Sequence, residues 1–77
     1  MIAIDHPSIK NLVEPLVQER LDRKITHRAM AALLERRSTV VWLWESYRSA
    51  PNLRSLVVWA DALGFEVVLK KKKKTAS

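Results

Sequence analysis

Residues 26–45 read THRAMAALLERRSTVVWLWE, and their spacing predicts two short helices joined by a tight turn. Met30, Ala31 and Leu34 share one stripe of the first helix, and Val40, Val41 and Trp44 share one stripe of the second, because each set recurs at helical spacing. Ala31 is small where the two helices would cross closely. Glu35-Arg36-Arg37-Ser38 lies between them, polar and too short for an element of its own. Thr26 is expected to cap the first helix and Ser38 the second, each hydroxyl accepting a hydrogen bond from an otherwise unpaired backbone amide. Helix, short turn, helix is the helix-turn-helix plan, whose second helix enters the major groove of DNA.

The second of these helices is expected to run to about Tyr47, with Tyr47 or Arg48 completing its inward stripe. Its outward face is Ser38, Thr39, Trp42, Leu43 and Ser46. On the N-terminal side, Val13, Leu16, Val17, Arg20 and Leu21 follow the i, i+3, i+4, i+7, i+8 pattern of an amphipathic helix. Pro15 lies inside that pattern. It lacks an amide hydrogen, so the helix is expected to begin near Pro15 or kink there and to end near Lys24. A turn from Ser8 to Val13 precedes it, and residues 1–7 read as a flexible lead.

On the C-terminal side, residues 46–52 are polar, contain a proline and read as a loop. Asn52 is expected to cap a further helix that places Leu53, Leu56, Trp59, Ala60 and Leu63 on one side. Gly64, the single glycine of the chain, falls where a helix ends in a left-handed residue. Phe65, Val67 and Leu69 then alternate with Glu66, Val68 and Lys70, as in a short β-strand. A lone strand leaves its backbone groups without partners, so Phe65, Val67 and Leu69 are expected to pair with the same strand of a second copy in a homodimer. The competing expectation is an irregular tail whose apolar side chains cover the core.

The chain has 77 residues, enough for one domain with a modest core. Its 48% hydrophobic content favours a folded protein over a disordered one. With no cysteine there is no disulfide or thiolate metal site. No apolar run approaches the roughly 20 residues of a membrane span, and the first ten residues lack a secretory pattern, so a cytoplasmic location is expected. The net charge is +6, but Lys70–Lys74 supply five of the fourteen basic residues, which leaves the body near neutral. The body is nonetheless uneven: Arg20, Arg23, Lys24, Arg28, Arg36 and Arg37 face only Asp22 and Glu35 between residues 20 and 37. That basic bias falls where phosphate contacts would be needed.

With these residues placed, residues 16–69 resemble the Cro/C1-type (XRE-type, lambda-repressor-like) helix-turn-helix family. Thr26, Met30, Ala31 and Leu34 stand at its Thr-Gln-x-x-Leu-Ala-x-x-Leu signature, and Val41, Trp44 and Glu45 at its Val-x-x-Trp-Glu. Pro51-Asn52-Leu53, Leu56 and Ala60-Asp61-Ala62-Leu63-Gly64 match its Pro-Ser-Leu…Leu…Ala-x-Ala-Leu-Gly ending. In some members, including antitoxins, that ending leads into a strand joining two subunits. The resemblance implies a mainly α fold: a compact bundle of four to five short helices plus a C-terminal strand across a dimer. There are departures. His27 replaces a glutamine that contacts the DNA backbone, Lys24 and Glu35 replace usual glycines, so turns of altered length are expected, and Trp42-Leu43 stand where polar DNA-facing residues are frequent.

The expected function is a sequence-specific DNA-binding transcriptional regulator, a repressor acting as a homodimer on double-stranded DNA with a palindromic operator. Bases would be read from Arg36, Arg37, Ser38, Thr39, Trp42, Leu43 and Arg48, with His27 and Arg28 at the backbone. Arg20, Arg23 and Lys24 would position phosphates, and residues 70–77 form a basic tail, expected to be disordered, that adds non-specific affinity. The alternative is a protein-binding module on the same scaffold, such as an antitoxin, using the apolar Trp42/Leu43 surface against a toxin or another partner. Catalysis is not expected. His6 and His27 lie far apart without carboxylate company, and no glycine-rich loop is present, so no cofactor or metal site is expected either.

Overall fold

The computed structural model describes residues 7–72. Four helices follow in order: α1 (Pro7–Asp22), α2 (His27–Leu34), α3 (Ser38–Glu45) and α4 (Leu53–Ala62). Helix α2 packs against both α3 and α4, and α1 packs against α3. Of the lead expected over residues 1–7, Pro7 instead opens α1, and residues 1–6, like the end of the tail at residues 73–77, lie outside the described residues.

The core takes Val13 and Leu16 from α1, Met30, Ala31 and Leu34 from α2, Val41 and Trp44 from α3, and Trp59 and Ala60 from α4, with Leu63 just beyond. Burying each of the large side chains is worth about 1.5–3 kcal/mol relative to exposure. The Trp44 and Trp59 rings meet at 5.5 Å between centroids, tilted by 35°. Trp59 is fully enclosed and its indole N–H finds no acceptor among the described residues. An orphan donor of this kind costs about 1–3 kcal/mol, which the burial of so large a ring outweighs. Val40, expected inward, is only partly buried against this core.

Two of the expected caps form. Thr26 Oγ1 accepts from the Ala29 amide at 3.0 Å and Asn52 Oδ1 from the Ser55 amide at 2.8 Å. Ser38 does not cap α3. It is the first helical residue, and the N-cap position falls on Arg37, whose side chain makes no capping bond.

All four helices close in one way. The Ile25, Arg36, Arg48 and Phe65 amides reach back to the Arg20, Ala31, Leu43 and Ala60 carbonyls at 2.8–3.0 Å, around a left-handed residue in each case. Those residues are Lys24 (φ 57°), Glu35 (φ 55°), Tyr47 (φ 61°) and Gly64 (φ 83°). This is the Schellman ending, and only Gly64 adopts it without side-chain strain. The turns expected to change in length at Lys24 and Glu35 therefore keep the left-handed geometry a glycine would give.

Further expectations differ from the structure. Helix α1 does not begin near Pro15: one helix runs from Pro7 to Asp22 with Pro15 inside it, so the segment from Ser8 to Val13 is helical. Pro15 and Asn11, whose carbonyl lies four residues back, are both exposed, so water can take the place of the missing amide. Helix α3 ends at Glu45 and not near Tyr47, because Tyr47 is left-handed. Leu53 is 73% exposed. It opens α4, and the buried stripe starts a turn later. No strand forms over residues 65–70 among the described residues of a single chain, where residues 65–72 carry no regular structure; the strand was expected to pair with a second copy. Val67 packs against the core, while Leu69 is fully exposed.

Candidate functional site

The site is built around the start of α2 and the length of α3. At the α2 side lies a sealed polar cluster. Arg20 donates from Nε to Glu45 Oε2 at 2.6 Å and from Nη2 to Glu45 Oε1 at 2.8 Å, and its Nη1 donates to the Ile25 carbonyl at 2.6 Å. Both side chains are 8% exposed. A fork on a carboxylate is the strongest ion-pair geometry available to arginine, and here it ties α1 to the last residue of α3 and to the segment entering α2.

His27, the first residue of α2, joins this cluster with Nε2 2.9 Å from Glu45 Oε1 and 3.3 Å from Arg20 Nη2. The carboxylate assigns the hydrogen to Nε2, since two acceptors facing each other would repel. A neutral His27 thus gives its one N–H to Glu45 and presents Nδ1 as an acceptor. It can donate to a phosphate only when protonated.

These contacts revise two expected roles. Arg20 does not stand ready for a phosphate, because it is 7% exposed and its donors are already engaged inside the subunit. His27 does have a carboxylate beside it, brought from 18 residues away. Glu45 is the functional-site residue that reasoning from sequence placed only as a family match. Its signal was present, since Arg20 sits on the buried stripe of α1 and Glu45 follows the buried Trp44. Arg23 is likewise partly committed, to Glu19 Oε2 at 2.8 Å and to the Leu63 carbonyl at 3.0 Å, where it favours the C-terminal end of α4.

The remaining expected residues lie on the outside. Arg28, Arg37, Ser38 and Thr39 are exposed and make no side-chain hydrogen bond or ion pair among the described residues. Lys24 is exposed at the turn before α2. Trp42 is 45% exposed one turn along the same stripe, with the Arg48 guanidinium 5.3 Å from its ring centre. Leu43 is half-buried. Arg36 turns toward α4, donating from Nη2 to Ser55 Oγ at 3.2 Å. His6 lies outside the described residues. Phe65, Val67 and Leu69 belong to the irregular C-terminal segment, away from these two helices in the chain.

Tyr47 closes the site beyond α3. Burial, then the nearby Glu14 and Glu45 carboxylates, push its phenol above the ordinary value of 10.0. The Lys10 ammonium sits 5.6 Å from its ring centre. Among the described residues, no helix is long and apolar enough to cross a membrane. No family model, curated protein or solved structure matches the chain.

Proposed function

We propose that the chain is a sequence-specific DNA-binding regulator, a repressor that acts as a homodimer on a palindromic operator. The observation that carries this reading is the first turn of α3. It projects from the helix pair with Ser38 and Thr39 exposed, no side-chain cap, and the free cation Arg37 directly before it, while Arg28 is likewise free on the first turn of α2. Exposed hydroxyls and guanidinium groups at the start of such a helix are suited to base edges and phosphates in a major groove.

Two copies would set their α3 helices in adjacent grooves about 34 Å apart. The segment from Phe65 to Leu69 supports pairing of the copies. Its backbone has no ladder partner among the described residues, and Val68 and Leu69 are exposed. Repression then follows from occupancy, since a bound dimer blocks polymerase. The test is selection of bound duplexes from a random pool, with affinity of the selected duplex measured against salt. A log–log slope of roughly 0.9 per neutralised phosphate is expected. Failure to shift any duplex at low salt overturns the reading.

One observation favours a second reading, a protein-binding module of antitoxin type. Trp42 is half-exposed in the middle of the same stripe, and exposed tryptophan is typical of the centre of a protein interface. Trp42→Ala separates the two: loss of a protein complex with duplex affinity intact favours the second reading.

A further inference from the structure

We propose that the cleft between the C-terminal end of α2 and the first turn of α4 binds a small organic carboxylate with an apolar body. The cleft encloses about 390 Å³, within the range of small-molecule sites. Its polar side carries Arg36, Arg54 and Ser55, and its apolar side Leu33, Leu34 and Val58, with Trp44 also in the lining.

The polar groups select an anion. Arg54 makes no side-chain hydrogen bond or ion pair among the described residues, and Arg36 reaches only the neutral Ser55 hydroxyl. Glu35, the one acid lining the cleft, pairs with neither, so the cleft carries one net positive charge. Ser55 is 6% exposed. Its oxygen accepts from Arg36, and its hydroxyl hydrogen goes to no acceptor among the described residues. A buried hydroxyl with a hydrogen still to give, in a cleft lined by two guanidinium groups that pair with no carboxylate among the described residues, is completed by a carboxylate oxygen. The apolar groups select what the carboxylate is attached to. Leu33 and Val58 are large exposed hydrophobics in this lining, and an aryl or branched alkyl body would cover them. Inorganic phosphate supplies the charge and leaves that surface wet.

The experiment titrates the whole chain with phenylacetate, phenylacetamide and inorganic phosphate, following the methyl signals of Leu33 and Val58 by NMR. Phenylacetate is expected to shift both saturably, and phenylacetamide to bind at least about tenfold more weakly. Arg54→Gln, which removes no side-chain hydrogen bond or ion pair among the described residues, is expected to weaken phenylacetate by about tenfold with folding stability unchanged. Ser55→Ala provides the second variant, and it too is expected to weaken binding. Equal binding of the amide, indifference to Arg54→Gln, or displacement of phenylacetate by an equal concentration of phosphate would each overturn the proposal. None of these readouts depends on DNA.

Discussion

At its C-terminal end α3 places Trp44 and Glu45 in the interior, where a forked guanidinium from α1 and the imidazole of α2 hold the carboxylate. At its N-terminal end Arg37, Ser38 and Thr39 face outward, and no side chain caps the helix. One helix of eight residues is thus fixed at one end and open at the other. The fixed end is also the electrostatically awkward one, since a carboxylate at a helix C-terminus opposes the helix dipole. Arg20 reverses that penalty. The contrast separates two uses of charge: at Glu45 it sets position within the subunit, and at Arg37 it is left available to a partner.

The contrast breaks most visibly at Glu45. Glu45→Ala leaves the Arg20 guanidinium buried without its partner, and a loss of about 3–5 kcal/mol is expected, read from the midpoint of urea unfolding. In so small a domain this approaches the whole stability. Replacing the pair together, Arg20→Met with Glu45→Leu, is expected to recover most of the loss, because hydrophobic groups avoid the desolvation that charges suffer. A loss below about 1 kcal/mol for Glu45→Ala would mean that α3 is no more anchored at one end than at the other.

At the open end the outcome inverts. Arg37→Ala is expected to leave stability within about 0.5 kcal/mol of the parent, while a selected duplex loses about 1–3 kcal/mol of binding through a lost guanine contact. Gel-shift titration beside thermal unfolding reads both. If Arg37→Ala unfolds the chain instead, the cation belongs to the scaffold and the two ends of α3 are alike.

Legibility in the sequence follows the same division. Features decided within a few residues could be read directly: the Thr26 and Asn52 caps, the Gly64 ending, and the stripe of Met30, Ala31 and Leu34. Features decided by a distant partner could not. Arg20 appeared both on the inward stripe of α1 and among the basic residues. Charge alone assigned it to a phosphate, whereas Glu45, 25 residues away, draws it inside. Pro15 misled in the opposite sense, because the local rule against proline in a helix weakens on an exposed face. Leu53 shows that a helix stripe cannot be extended into the first turn by spacing alone. The irregular segment 65–72 is undecided by one chain, because a strand is defined by what it pairs with.

The helix endings offer a smaller test, on the turn that links the fixed and open parts. Glu35 is left-handed at φ 55° directly before the α3 entry. A non-glycine residue there carries strain on the order of 1 kcal/mol or more, partly offset by the greater freedom of glycine when unfolded. Glu35→Gly is therefore expected to stabilise the domain by about 0.5–1 kcal/mol, measured by thermal melting. A destabilised variant would show that the Glu35 side chain contributes a contact worth more than its backbone strain.

The smallest expected effect lies just past the fixed end, at Tyr47. Burial first, and then the Glu14 and Glu45 carboxylates, hold its phenol above the ordinary 10.0. The folded state therefore keeps the proton more tightly than the unfolded state does. The stabilisation that follows is complete below pH 10 and is lost as pH rises past 10.0 toward the raised folded value. Lys10 packs over this ring, so the informative quantity is the difference between the parent chain and Tyr47→Phe. That difference is expected to be constant from neutral pH to about pH 9 and then to move against the parent as pH rises further. A difference that stays flat through pH 11 would place the phenol in a solvated setting, and the enclosure of α3 would then end at Glu45 without extending to the residue that reverses the chain.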